Sequence, residues 1–286
     1  MRRTIVKRGL SAATANRVDV IAQRKAEPMN EMQEFMRQLA SAAAGETLPR
    51  FRQLSAVVNK LGSGFDPVTE ADREAERVIR ALIGEQFSSD GILGEEFGIS
   101  NAESERCWVI DPIDGTRAFI SGIPLWGTLV GLTVAGRAVA GMMSQPFTGE
   151  LYLADDSGAF LEDREGRRRI SASNVESLAE ATLCTTTPAL FSPAQRAAYD
   201  RLENKVRLAR YGTDCYAYAM LASGHVDLVV ESGLNPYDIV ALVPIIEQAG
   251  GVVTTFDGGR PEEGGNIIAA ANAKLHEQAR AFVAGV

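Results

Sequence analysis

Trp108-Val109-Ile110-Asp111-Pro112-Ile113-Asp114-Gly115-Thr116 is the stretch on which the reading of this chain turns. An apolar strand runs straight into two carboxylates three positions apart, with Pro112 stiffening the link and Gly115 permitting a sharp turn. Two acids held that close repel each other and raise each other's pKa, so their placement at a strand end points to bound divalent cations. A short helix starting at Gly115 and Thr116 would aim backbone N–H groups at the same spot, which suits a phosphate. The alternative is that Asp111 and Asp114 are turn and cap residues, a common use of Asp.

Further acids stand at comparable places. Ile92-Leu93 leads into Gly94-Glu95-Glu96, a second carboxylate at a strand end, and Asp238 follows Pro236 at the opening of a helical stretch. A solvated loop would account for Glu95 and Glu96, and an N-cap for Asp238. Asp66-Pro67-Val68-Thr69-Glu70-Ala71-Asp72 reads locally as a helix start, with Asp66 as cap, Pro67 in the first turn, and Glu70 and Asp72 complementing the helix dipole.

Outward from these motifs, apolar periodicity predicts amphipathic helices over 32–48 and 68–87, separated by a polar, Gly-rich loop over 60–65. Strands are expected over 107–110, 125–134, 138–145 and 150–154, so the first half reads as helices on an antiparallel sheet. After residue 173 the pattern alternates: strands over 182–186, 206–210, 226–231, 252–256 and 266–270, and helices over 193–204, 215–222, 236–249 and 272–284. That alternation favours an α/β sheet covered by helices. The expected division is a basic leader over 1–28, an N-terminal α+β metal-binding half over 29–172 and a C-terminal α/β half over 173–286, with the site in the cleft between the halves.

Composition narrows the chemistry. The 286 residues carry a net charge of −8, the wrong sign for a protein that binds nucleic acid by neutralising phosphates. No apolar run reaches the length of a membrane helix. Cys107, Cys184 and Cys215 have no CxxC spacing, so neither a disulfide framework nor a thiolate zinc site is indicated, and a reducing cytoplasm fits. They are expected to be small buried hydrophobes. His225 and His276 stand far apart and are expected to face solvent, the latter on the last helix, so any metal must be held by carboxylates. The leader, with Arg2, Arg3, Lys7, Arg8, Arg17, Arg24 and Lys25, reads either as an organellar transit peptide or as an extension ahead of a start at Met29 or Met32.

The four motifs together, Asp66 to Asp72, Gly94-Glu95-Glu96, Asp111 to Thr116, and Pro236-Tyr237-Asp238 followed by Gly250-Gly251, resemble the inositol monophosphatase family of magnesium-dependent phosphatases, in order from about residue 30 to the C-terminus. The resemblance implies the layered α-β-α-β-α sugar-phosphatase fold and, by family habit, a homodimer acting on a small phosphomonoester. It assigns Glu95, Asp111 and the Ile113 carbonyl to one magnesium, Asp111, Asp114 and Asp238 to a second, and Glu95 with solvent to a weaker third. Asp66 and Thr116 would orient the attacking water, the N–H groups of Gly115 and Thr116 would help hold phosphate, and Lys60 would lie near the mouth. Tyr237 stands where many members have Trp, which leaves the ligand Asp238 intact.

The segments 118–128 and 211–218 resemble the histidinol-phosphate phosphatase branch. Asp214 and Glu231 would then recognise the ammonium and imidazole of L-histidinol phosphate, although Asp214 could equally cap the helix that follows it. The rivals are phosphatases of the same scaffold acting on inositol monophosphate, a fructose bisphosphate or a 3′-phosphonucleotide and, in another class, a catalytically silent scaffold protein.

Overall fold

The computed structural model describes residues 30–53, 58–59 and 67–286. The leader, the 60–65 loop, Lys60 and Asp66 lie outside the described residues. Helix α1 (Glu31–Thr47) starts at Asn30, whose side chain accepts from Gln33 N at 2.9 Å. Strands β1 (Val58–Asn59) and β2 (Pro67–Val68) form a short antiparallel pair, and α2 (Glu70–Gln86) follows. The N-cap of α2 is Thr69, not Asp66. Thr69 N donates to Asp72 Oδ2 at 2.8 Å and the Thr69 hydroxyl accepts from Ala71 N at 3.1 Å, a reciprocal box that satisfies the first turn and starts the helix two residues later than expected.

Next come β3 (Gly91–Gly94), β4 (Gly98–Ser100), β5 (Arg106–Asp114), the five-residue α3 (Thr116–Ile120), β6 (Gly127–Val134), β7 (Arg137–Gln145), β8 (Glu150–Asp155), β9 (Gly158–Asp163) and β10 (Gly166–Arg169). These strands, β1 and β2 aside, form an eight-stranded sheet in the order β10-β9-β8-β7-β6-β5-β3-β4, antiparallel except for the parallel β3–β5 pair. The second half contains β11 (Thr182–Thr185), α4 (Pro193–Glu203), β12 (Leu208–Tyr211), α5 (Asp214–Ala222), β13 (Leu228–Leu234), α6 (Pro236–Ile239), α7 (Leu242–Gln248), β14 (Val252–Thr255), β15 (Gly265–Ala270) and α8 (Ala273–Val283). Its sheet runs β12-β11-β13-β15-β14 and is mixed: β11 is parallel to β12 and β13, while β15 is antiparallel to β13 and β14.

Strand alternation sorts these elements into five layers. On β6, Val130 and Leu132 turn toward α1 and α2, where they meet Met36, Leu39, Ile79 and Ile83, while Leu129 turns the other way. That other side is a helical layer of α5 and α7, with Tyr218, Leu242 and Ile246 packed between Leu129 and Met143 of the first sheet and Val229, Val253 and Ile267 of the second. Beyond it, Leu228, Val230 and Ile268 face α4 and α8 through Tyr199, Leu202 and Leu275. The order is helix, sheet, helix, sheet, helix.

The middle layer sits unusually close to the large sheet. Gly131 and Gly141 are direct partners on β6 and β7, and a Cβ on Gly141 would lie 2.0 Å from the Ala241 carbonyl oxygen, one on Gly131 2.8 Å from Ala241 N. The two glycines make a side-chain-free notch that seats the backbone at Ala241. There the helix expected over 236–249 divides into α6 and α7.

Other expectations change as well. The β9–β10 hairpin falls outside the expected strands; on β10 Arg167 and Arg169 replace the apolar residues a strand usually carries, and both guanidiniums lie over the Phe160 ring, at 4.0 and 4.9 Å. His276 is not solvent-facing: it is 8% exposed, its Nε2 lies 2.9 Å from Thr254 Oγ1, and burial lowers its pKa, assisted by the charge of Arg280. His225 is exposed, Cys184 and Cys215 are buried, and Cys107 is half-buried. Among the described residues no helix is long and apolar enough to cross a membrane.

Candidate active site

On a regular strand Asp111 and Asp114, three apart, would face opposite sides of the sheet. Strand β5 does not end at Ile110 as expected; it continues through Asp114 with a bulge. Asp111 pairs with Leu129 and Asp114 with Gly127, so three steps on β5 oppose two on β6. The extra residue turns both carboxylates to one side. Thr128 Oγ1 donates to Pro112 O at 2.8 Å and pins the bulge from the neighbouring strand.

Asp238 reaches the same place from the middle layer, carried by α6 and the notch at Ala241. Carboxylate oxygens of Asp111, Asp114 and Asp238 all lie within 4.8 Å of one another. Backbone N–H groups fix each one: Ile113 N donates to Asp111 Oδ1 at 3.0 Å, Cys215 N to Asp114 Oδ2 at 2.6 Å, and Asn235 N to Asp238 Oδ2 at 2.7 Å. Asp238 is therefore not the cap of its helix but the third residue of a box whose cap is Asn235.

Burial, then the charges of neighbouring acids, push Asp111 and Asp114 well above the carboxylate range, and burial pushes Asp238 to about 6. Glu95, at the end of β3, is not in the tight trio, but its charge raises both Asp111 and Asp238. Acids that are buried (Asp111) or half-buried (Asp114, Asp238) and destabilise one another in this way are a donor set for hard cations, which remove the repulsion and are met by carboxylate oxygen. The residues present fit magnesium. The Ile113 carbonyl accepts from Thr116 Oγ1 at 3.1 Å.

Gly115 has φ +82° and begins α3; a Cβ there would stand 3.3 Å from Asp214 Oδ2 and 3.1 Å from Leu125 O. Asp214 thus lies directly beside the Gly115–Thr116 turn. It is not the cap of α5, a position held by Thr213 without a side-chain bond; it is the first helical residue, in the left-handed region at φ +42°. That conformation is unfavourable for an L-residue, though Asp tolerates it better than most. Its carboxylate accepts from Thr186 Oγ1 at 3.3 Å; burial raises its pKa, and the Thr186 bond and the charge of Arg117 oppose part of that rise.

Glu231 is 3% exposed and accepts from Thr186 N at 2.6 Å, Thr186 Oγ1 at 3.1 Å and Thr185 Oγ1 at 3.3 Å, while burial raises it to about 8. Thr186, at the C-terminal end of β11, thereby joins two of the expected substrate residues. Sequence reasoning missed it, since a Thr at a strand end carries no signal until a 45-residue separation from Glu231 is closed by the parallel β11–β13 pairing. Asp66 and Lys60 lie outside the described residues.

The inositol monophosphatase family profile matches residues 28–284. The chain is 40% identical over 249 residues to the bifunctional phosphatase IMPL2, chloroplastic, of Arabidopsis thaliana, covering 83% of this chain and 70% of that one. It is 38% identical over 207 residues to a histidinol-phosphatase of Chlorobaculum parvum, covering 72% and 79%. Among solved structures it matches an inositol monophosphatase from Zymomonas mobilis with a TM-score of 0.79 and 37% identity, covering 88% of this chain and 97% of that one.

Proposed function

The chain belongs to the inositol monophosphatase family and is a phosphoric monoester hydrolase, and from that premise we propose that it hydrolyses L-histidinol phosphate to L-histidinol and phosphate with magnesium. Asp111, Asp114, Asp238 and Glu95, with the Ile113 carbonyl, would hold the ions. Bound magnesium supplies Lewis-acid charge that offsets the negative charge gathering on the phosphate oxygens and lowers the pKa of water. The N–H groups of Gly115 and Thr116 orient the phosphate, and the Thr116 hydroxyl, held 3.1 Å from the Ile113 carbonyl, positions the nucleophile side of the reaction.

One observation carries the choice of substrate. Asp214 and Glu231 both place a carboxylate oxygen on the single Thr186 hydroxyl, which has one proton to give. The site beside the phosphate turn therefore brings together two acids that share one hydroxyl and are both raised by burial. An ammonium group would draw them to their charged form and meet them with charge-assisted hydrogen bonds of about 1.5–3 kcal/mol each, which a neutral polyol cannot do. The relatives named histidinol-phosphatase support the same reading.

The test is phosphate release across L-histidinol phosphate, myo-inositol 1-phosphate, fructose 1,6-bisphosphate and adenosine 3′,5′-bisphosphate. Histidinol phosphate should give the highest kcat/KM. The Asp214→Ala change should lower kcat/KM on histidinol phosphate by about tenfold or more, with a much smaller loss on glycerol 2-phosphate. Equal losses on both substrates, or a preference for the inositol ester, would reject the assignment.

A further inference from the structure

The turn between β3 and β4 presents Glu95, and its grip on the rest of the fold comes from a residue of α2. Glu76 is fully buried. Its Oε2 accepts from Glu96 N at 2.7 Å, and its Oε1 from Phe97 N at 3.2 Å and from Arg80 Nε at 2.7 Å. Arg80 continues to β4, donating through Nη1 to Ser100 Oγ at 3.3 Å and through Nη2 to the Gly98 carbonyl. On its other side, Glu95 N donates to Ile110 O at 3.1 Å, the residue before Asp111.

Gly94 completes the fit. A Cβ there would lie 1.9 Å from Glu76 Oε1, and since Gly94 is not in the left-handed region its glycine is required for space, not for conformation. A buried carboxylate is costly unless fully bonded, and fold stability alone is served as well by an apolar side chain of similar size. An apolar side chain has no means of holding the two N–H groups that immediately follow Glu95.

We propose that Glu76 is a positioning residue: anchored by Arg80 and admitted by Gly94, it fixes the β3–β4 turn so that Glu95 faces the Asp111, Asp114 and Asp238 trio. The proposal rests on the reading that Glu95 helps hold a divalent cation there.

Manganese binding to the purified full chain, followed by electron paramagnetic resonance and by calorimetry, tests both layers separately. Wild type should bind Mn²⁺ and Glu95→Gln should bind it more weakly; if wild type does not bind, the cation reading fails and the proposal with it, and if Glu95→Gln binds like wild type, Glu95 is no ligand and the proposal fails alone. Given that baseline, Glu76→Gln and Gly94→Ala should each weaken Mn²⁺ binding by about tenfold or more while the metal-free proteins still melt cooperatively. Gly94→Ala keeps every charge, so its loss separates positioning from a change in local potential. The proposal is overturned if Gly94→Ala binds Mn²⁺ like wild type, or if Glu76→Gln does so while Glu95→Gln does not. Should Gly94→Ala fail to fold, Glu76→Gln decides, read at low and high salt: a weakening that salt abolishes is long-range charge and overturns the proposal.

Discussion

Replacing Gly141 by Ala adds one methyl group at the point where the middle helices come closest to the large sheet. The new Cβ would begin 2.0 Å from Ala241 O and 2.8 Å from Ala241 C. Carbon and oxygen settle at about 3.3 Å or more, so the chain at Ala241 must retreat by about 1 Å. Both partners are backbone, so no rotamer change relieves the clash. Overpacking of this kind costs about 1–3 kcal/mol, which for a chain of this size lowers Tm by roughly 2–6 °C.

The same retreat acts on chemistry, because Ala241 follows Asp238 by three residues and α6 rests on β5 and β6 beside the notch. A displacement of about 1 Å in a ligand costs on the order of 100-fold in kcat. Thermal melting and initial rates at saturating magnesium read the two effects. Gly84→Ala is the control: Gly84 lies exposed in α2 with nothing within 4 Å of an added Cβ, and the change should stabilise by about 0.5–1 kcal/mol. If Gly141→Ala melts with the wild type and keeps its rate, the close approach does not set the position of Asp238.

Asp238→Asn removes one of three mutually repelling acids, so it should abolish magnesium-dependent turnover and raise the Tm of the metal-free protein; retained turnover strikes Asp238 from the ligand set, and calorimetry reads the stability. Glu231, held at about 8 when folded against about 4.5 when unfolded, keeps its proton in the fold over a range where the unfolded chain has lost it. Its contribution to stability is complete below about pH 4.5, declines by at most about 1.4 kcal/mol per pH unit, and is gone above about pH 8. Glu231→Gln should therefore flatten the fall of Tm across that window, and an unchanged slope would show that another group sets it.

The acidic motifs were legible because Asp, Gly and Pro at strand ends carry local conformational meaning, and the acidic trio comes from two such motifs, with a third supplying Glu95 beside it. Helices on two sheets were legible from hydrophobic period, but the five-layer order came only through the family resemblance, since neighbours such as Leu129 and Val130, or Leu228 and Val229, are all apolar and pack on opposite sides. What escaped was set by distant parts of the chain. Arg167 and Arg169 read as loop until Phe160 lies beneath them. His276 reads as surface until Thr254 and the edge strand β14 close over it. The division of 236–249 into two helices depends on glycines a hundred residues earlier, and the role of Thr186 on a carboxylate 45 positions later. The cap of α2 was misplaced for a different reason: Asp66-Pro67 and Thr69 both carry start signals, and the reciprocal bond to Asp72 favours Thr69.

The bulge in β5 makes the site a matter of counting. A strand can gain or lose two residues and leave every later side chain on its original side, whereas a change of one inverts all of them. Smoothing the bulge while keeping every residue would send one carboxylate into the layer of α1 and α2 with its chemistry otherwise intact. Deleting the surplus residue, by contrast, leaves the two aspartates two apart and still on one side, with the later strand in regular register. Anyone transplanting this acidic pair to another antiparallel sheet must carry over the irregular ladder, with the threonine that clamps it, and not the two aspartates alone.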